Sequence, residues 1–118
     1  MPKVNLTKRL SEEYADLFES CVIRQGRQAI VEKLADSLIA NRDRYDAVSR
    51  TSGVPWHVIA VIHNMEVGQR FTGHLHNGNP LTARTVRVPA GHPKGGKPPF
   101  TWEESAEDAL AHMRLGRK

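Results

Sequence analysis

The chain has a single cysteine, Cys21, among 118 residues. One cysteine excludes an internal disulfide, so nothing demands an oxidising compartment. Aromatic residues make up only 6%, too few for an array of stacking platforms, and no nucleic-acid-binding motif occurs. No apolar run approaches the ~18 residues of a membrane span. The N-terminal stretch MPKVNLTKRL lacks the apolar segment of a signal peptide. The expectation is a protein that binds neither nucleic acid nor membrane. It stays cytoplasmic until released, or leaves by a non-standard route. Repeats and low-complexity tracts are missing as well.

Acid is unevenly missing. Residues 1–66 carry nine acids and nine bases, and residues 103–118 carry four acids and three bases. Between them, residues 67–102 hold Arg70, Arg84, Arg87, Lys94 and Lys97 and no acid at all. The net charge of +4 is therefore a property of the middle segment. Such a stripe attracts an anionic polymer; the plainer reading is a solvated loop with incidental lysines.

What is present reads mainly as helix. Leu10, Tyr14, Leu17, Phe18 and Cys21 recur at helical spacing and predict a helix over about 7–23, with Cys21 on its core face. Ile30, Leu34, Leu38 and Ile39 predict a second over about 26–41, and Tyr45 and Val48 a short third. Gly53 interrupts the pattern, Pro55 suits the first turn of a new helix, and Gly68 suits its C-terminal cap. Thr85-Val86-Arg87-Val88 alternates as a short half-exposed strand does, and PAGHPKGGKPP reads as a loop. Thr101 and Glu104 form a capping box that opens a last helix. The predicted fold class is mainly α with a small β/loop lobe. It forms a single domain over 1–118: helical 7–68, β/loop 69–100, final helix 101–115.

The helix from Pro55 carries the main chemical signal. Ile59, Ile62 and Glu66 lie at i, i+3 and i+7, which puts Glu66 in line with an apolar stripe. A buried acid loses water, which favours its protonated form, and the negative end of the helix dipole acts the same way. Both would suit a general acid. The competing reading is a surface residue paired with Arg70 at i+4.

The stretch GVPWHVIAVIHNMEVGQRF, residues 53–71, resembles the catalytic helix of goose-type lysozymes and soluble lytic transglycosylases. The matching residues are Gly53, Val54, Glu66 and Phe71. Residues 74–110, HLHNGNPLTARTVRVPAGHPKGGKPPFTWEESAEDAL, resemble more closely a family of bacterial and phage-associated lysozyme-like proteins. The resemblance implies a lysozyme-like α+β fold, incomplete here, with a second chain or a homo-oligomer completing it. It implies a muramidase that cuts the β-1,4 linkages between N-acetylmuramic acid and N-acetylglucosamine in peptidoglycan. Glu66 would be its general acid, with His63, His74, His76, Asn77, Asn79, Thr82 and Thr85 on the substrate side and no cofactor. Two positions depart from the pattern: Val67 stands where Ser usually follows the acid, and Asn79 where the closer family has Asp.

The second departure matters because glycosidases usually employ two carboxylates. Asp43, Asp46 and Glu103 are the nearest in sequence outside the acid-free segment. A lytic transglycosylase, in which one Glu acts as acid and then base, needs no second. Two other classes stay open. His63, Glu66, His74 and His76 could bind Zn²⁺ in a metal hydrolase, although the pattern is neither HExxH nor a cysteine cage. An inactive cell-wall-binding domain is the last.

Overall fold

The computed structural model describes residues 5–115. It contains five helices: α1 (Lys8–Ser20), α2 (Gln28–Ala40), α3 (Arg42–Ser52), α4 (Trp56–Val67) and α5 (Trp102–His112). The fold is mainly helical, as expected. The chain divides into two compact units, residues 1–33 and 34–118.

In the first unit, Thr7 caps α1 by accepting a hydrogen bond from the Leu10 amide at 3.1 Å. No residue of α1 is buried. Tyr14, Leu17 and Phe18, expected on a core face, are exposed, and Phe18 keeps 80% of its surface. Cys21 is exposed too, not the core residue that its spacing predicts. Periodicity reports that a helix has an apolar stripe; it does not report what the stripe packs against.

In the second unit, α3 packs against both α4 and α5. Gly53 and Gly68 end α3 and α4 in the left-handed region, at φ 79° and 58°, a conformation in which a Cβ is costly. Pro55 sits at the N-cap of α4, one place earlier than expected. The Thr101–Glu104 capping box is complete. Tyr45 and Val48 of α3, Ile59, Ala60 and Val67 of α4, and Trp102, Ala106, Ala109 and Leu110 of α5 form the core. Leu75, Leu81 and Phe100 join them from the connecting segment.

That segment, residues 68–101, is held by turns. The predicted strand over 85–88 does not form, and Gly73↔Pro80 is an isolated bridge. The reason lies in Asn79, whose Oδ1 accepts from the Val86 and Arg87 amides at 3.0 and 3.1 Å. Thr85 closes a turn with residues 91 and 92, and Pro89 has no amide to offer a ladder. The β part of the expected α+β lobe is thus a hydrogen-bonded loop among the described residues.

Two glycines allow this loop to press on the end of α4. A Cβ on Gly73 would lie 2.8 Å from Val67 Cγ1 and 2.9 Å from the Gly78 carbonyl oxygen. Gly78 has φ 83°, and a Cβ there would lie 3.8 Å from the Glu66 carbonyl oxygen. Gly73→Ala is expected to destabilise by about 1–3 kcal/mol, because backbone on one side cannot yield. Urea unfolding of the two proteins measures the difference; equal midpoints would show that the loop gives way freely.

Candidate functional site

The buried face of α4 runs through Ile59, Ala60, His63 and Val67. It does not follow the predicted Ile59–Ile62–Glu66 line. Ile62 is half-buried and Glu66 is exposed. At 3.6 residues per turn, Glu66 lies about 100° round the helix from Val67. The expectation of a buried Glu66 is therefore corrected, and the desolvation it was to supply is absent in the free protein. Nor does Glu66 pair with Arg70 among the described residues; the Arg70 Nε donates to the Val67 carbonyl at 3.1 Å.

His63 takes the place in the core that the pattern assigned to Glu66. Its ring is fully buried. Nε2 faces the Arg70 carbonyl oxygen at 2.8 Å and so must carry the proton. Nδ1 is then an acceptor, and the Tyr45 hydroxyl donates to it at 2.7 Å. Phe71 and Trp102 lie 4.6 and 4.9 Å from the His63 ring. Arg44 covers Phe71 at 4.1 Å and pairs with Glu103 at 2.9 Å. Burial pushes the Tyr45 phenol up to about 12, Arg44 working against it. Burial also lowers the His63 pKa, outweighing the Arg70 carbonyl contact that favours the cation.

His74 repeats the arrangement. Its Nε2 donates to the Ala83 carbonyl and its Nδ1 meets the Ser105 hydroxyl, both at 2.7 Å. Both ring nitrogens of His63 and of His74 are thus occupied by protein groups. The metal constellation of His63, Glu66, His74 and His76 is not assembled, because neither ring has a nitrogen to spare.

Most of the other residues expected on the substrate side spend their polar atoms on the backbone of the loop. Asn77 Nδ2 donates to the Arg87 and Val88 carbonyls, and its Oδ1 accepts from the Asn79 amide at 3.0 Å. The Thr85 hydroxyl donates to the Pro89 carbonyl and accepts from the His92 amide. Thr82 is exposed. Of the carboxylates considered as a second acid, Asp46 pairs with Arg42 at 3.4 Å and Glu103 with Arg44; Asp43 is exposed in the first turn of α3. The basic stripe is partly used up as well. Arg84 donates to the Pro93, Gly95 and Gly96 carbonyls and covers Phe100, whereas Arg87, Lys94 and Lys97 remain exposed.

His76 belongs to a cluster that spacing does not reveal. Its Nε2 lies 2.6 Å from Asp108 Oδ2, and His92 Nδ1 lies 2.8 Å from the same oxygen. Burial lowers the His76 pKa despite the neighbouring carboxylate. Burial acts to raise the Asp108 pKa, but the hydrogen bonds from His76 and His92 prevail and hold it below its ordinary 3.8. The three residues lie 16 and 32 positions apart. Sequence offered no signal for it, since no local spacing joins the three.

Comparison with protein-family models, curated proteins and solved structures finds no match to this chain. No helix among the described residues is long and apolar enough to cross a membrane.

The buried histidines predict how stability varies with pH. A folded-state pKa held below the unfolded 6.5 means that the neutral ring's contribution is complete above 6.5 and lost as pH falls towards the folded value. Asp108 adds a separate loss only below 3.8. Urea unfolding should show stability level at roughly pH 7.5 and declining by roughly pH 5.5. A level profile across that interval would contradict it. Tyr45→Phe, which leaves His63 Nδ1 without a donor, should cost about 1–3 kcal/mol at neutral pH.

Proposed function

We propose that this chain is a lysozyme-like domain that cleaves the β-1,4 glycan strands of peptidoglycan, with Glu66 as general acid. The observation that carries the reading is an adjacency. The last turn of α4, which bears Glu66, packs against the loop at Gly73 and Gly78. The two stretches that carry the lysozyme resemblance, 53–71 and 74–110, thus meet beside the acid. Glu66 is the exposed carboxylate of that turn, and the loop opposite it is braced by Asn77 and Asn79.

An exposed acid needs its water removed before it can act as a strong proton donor, and a bound sugar covering it supplies that exclusion. Protonation of the leaving glycosidic oxygen is the step assigned to Glu66. The acid-free run from Val67 to Trp102 favours a single-carboxylate route, in which the sugar's own 6-hydroxyl attacks and Glu66 acts first as acid and then as base. Hydrolysis by a second carboxylate is the alternative outcome. Exposed Arg87, Lys94 and Lys97 give the surface a positive field suited to anionic cell-wall polymer.

Digestion of purified sacculi with mass spectrometry of the soluble products tests this. Reducing-end muramic acid means hydrolysis, and 1,6-anhydro ends mean transglycosylation. The absence of soluble products would overturn cleavage and leave wall binding. Glu66→Gln should lower product formation by about 10²–10⁴-fold. Its melting temperature should stay near the parent's, because the side chain is exposed. A variant with full activity would remove Glu66 from the mechanism.

A further inference from the structure

We propose that His76, His92 and Asp108 form a binding site for a divalent transition-metal ion of the zinc class. Their ligand atoms lie within 4.8 Å of one another. Two imidazoles and a carboxylate are a donor set that zinc accepts, with the fourth position left to water. The geometry points to a common centre. Both imidazoles converge on the same oxygen, Asp108 Oδ2, instead of dividing the two carboxylate oxygens between them. His63 and His74, by contrast, are each closed off by a hydroxyl and a carbonyl.

Tetrahedral zinc with ligands at about 2.0–2.2 Å sets its donor atoms roughly 3.3–3.5 Å apart. The present 2.6 and 2.8 Å contacts must therefore lengthen by about 0.5–0.9 Å. Asp108 is the partner able to move: its side chain keeps 26% of its surface, against 1% for His76. Asp108 is also the member of the cluster that meets the surface. Asp108 lines a surface concavity of about 350 Å³ together with Pro93, Gly95, Phe100, Glu104 and Glu107. Glu104 and Glu107 add negative charge beside Asp108 there. The His112 ring, 4.9 Å from that of His92, stands next to the cluster. Each imidazole now spends an N–H on Asp108. On binding, the hydrogen of each neutral ring shifts to its other nitrogen, the nitrogen facing Asp108 becomes the ligand, and three metal–ligand bonds replace the two hydrogen bonds. The ion would clasp three segments, the loops carrying His76 and His92 and helix α5, so the expected consequence is stabilisation that rises with free metal.

The test uses the untagged full chain, stripped with a chelator, dialysed and titrated with Zn²⁺ alone, then with Co²⁺ as an absorbing substitute. One equivalent should bind, and the melting temperature should rise with zinc. In nitrogen-15 spectra the ring signals of His76 and His92 should move while those of His63 and His74 stay. His92→Ala and Asp108→Asn should each weaken zinc binding by about tenfold or more, whereas His57→Ala, at an exposed position on α4, should not. Zinc binding no tighter than in the His92→Ala and Asp108→Asn proteins, or binding that leaves the His76 and His92 signals unmoved, would overturn the proposal. The three residues would then be a hydrogen-bonded clasp only. If a variant fails to fold, the ring signals of the parent decide by themselves. No glycan is involved, so the outcome is separate from that of the cleavage assay.

Discussion

A buried imidazole must satisfy one donor and one acceptor at once, and His63 does so between the Arg70 carbonyl and the Tyr45 hydroxyl. Much of residues 41–110 is arranged around that requirement. Tyr45 comes from α3, His63 from α4, and the Arg70 carbonyl from the chain just after the Gly68 cap. Trp102, at the start of α5, closes on the His63 ring from another direction. The direction of the chain leaving α4 is fixed by this contact, and that direction delivers Gly73 against Val67. His74 then repeats the device between Ser105 of α5 and Ala83 of the loop. Buried polar groups of this kind specify a geometry more sharply than apolar packing, because a shifted neighbour leaves an unpaired atom in a dry interior.

The ends of the helices were legible because end signals are local. Gly53, Gly68 and the Thr101–Glu104 pair sit where sequence predicts, each acting on backbone within four residues of itself. Contacts between distant residues were not legible. On α4 the i, i+3, i+7 register from Ile59 points through Ile62 to Glu66. The buried stripe passes instead through His63, whose polarity is cancelled by Tyr45, eighteen residues earlier. On α1 the stripe was read correctly as helical, but its burial could not be read from the helix itself. The strand over 85–88 failed for a related reason: the side chain of Asn79 claims two amides that a ladder would need.

The same long-range bonding changes the meaning of the polar loop. From sequence, His74, Asn77, Asn79 and Thr85 look like groups waiting for a substrate. In the structure their polar atoms mostly brace the loop: the Asn79 side chain holds residues 86 and 87, and Thr85 holds residues 89 and 92. Arg84 holds three carbonyls of residues 93–96 in place. A segment with so few apolar residues keeps a defined shape through such side-chain contacts with backbone. The groups left exposed on this part of the surface include Glu66, Thr82, Arg87, Lys94 and Lys97. A braced loop can present such groups with less ordering cost than a mobile one.

His76 and His92 obey a different arrangement from His63 and His74. A carbonyl on one nitrogen and a hydroxyl on the other complete an imidazole. Convergence of two rings on one carboxylate oxygen does not, and His76 Nδ1 is left buried without a partner. Trp102 Nε1 is the other such side-chain atom identified among the described residues. An unmet buried acceptor costs about 1–3 kcal/mol, a large share of the stability of a small unit. Replacing His76 with an apolar residue of similar volume would remove that cost. It would also remove one of the three groups directed at the Asp108 centre. The imperfect satisfaction of this cluster, beside two histidines satisfied at both nitrogens, marks it as the part of the second unit where packing and hydrogen bonding alone account least for the residues chosen.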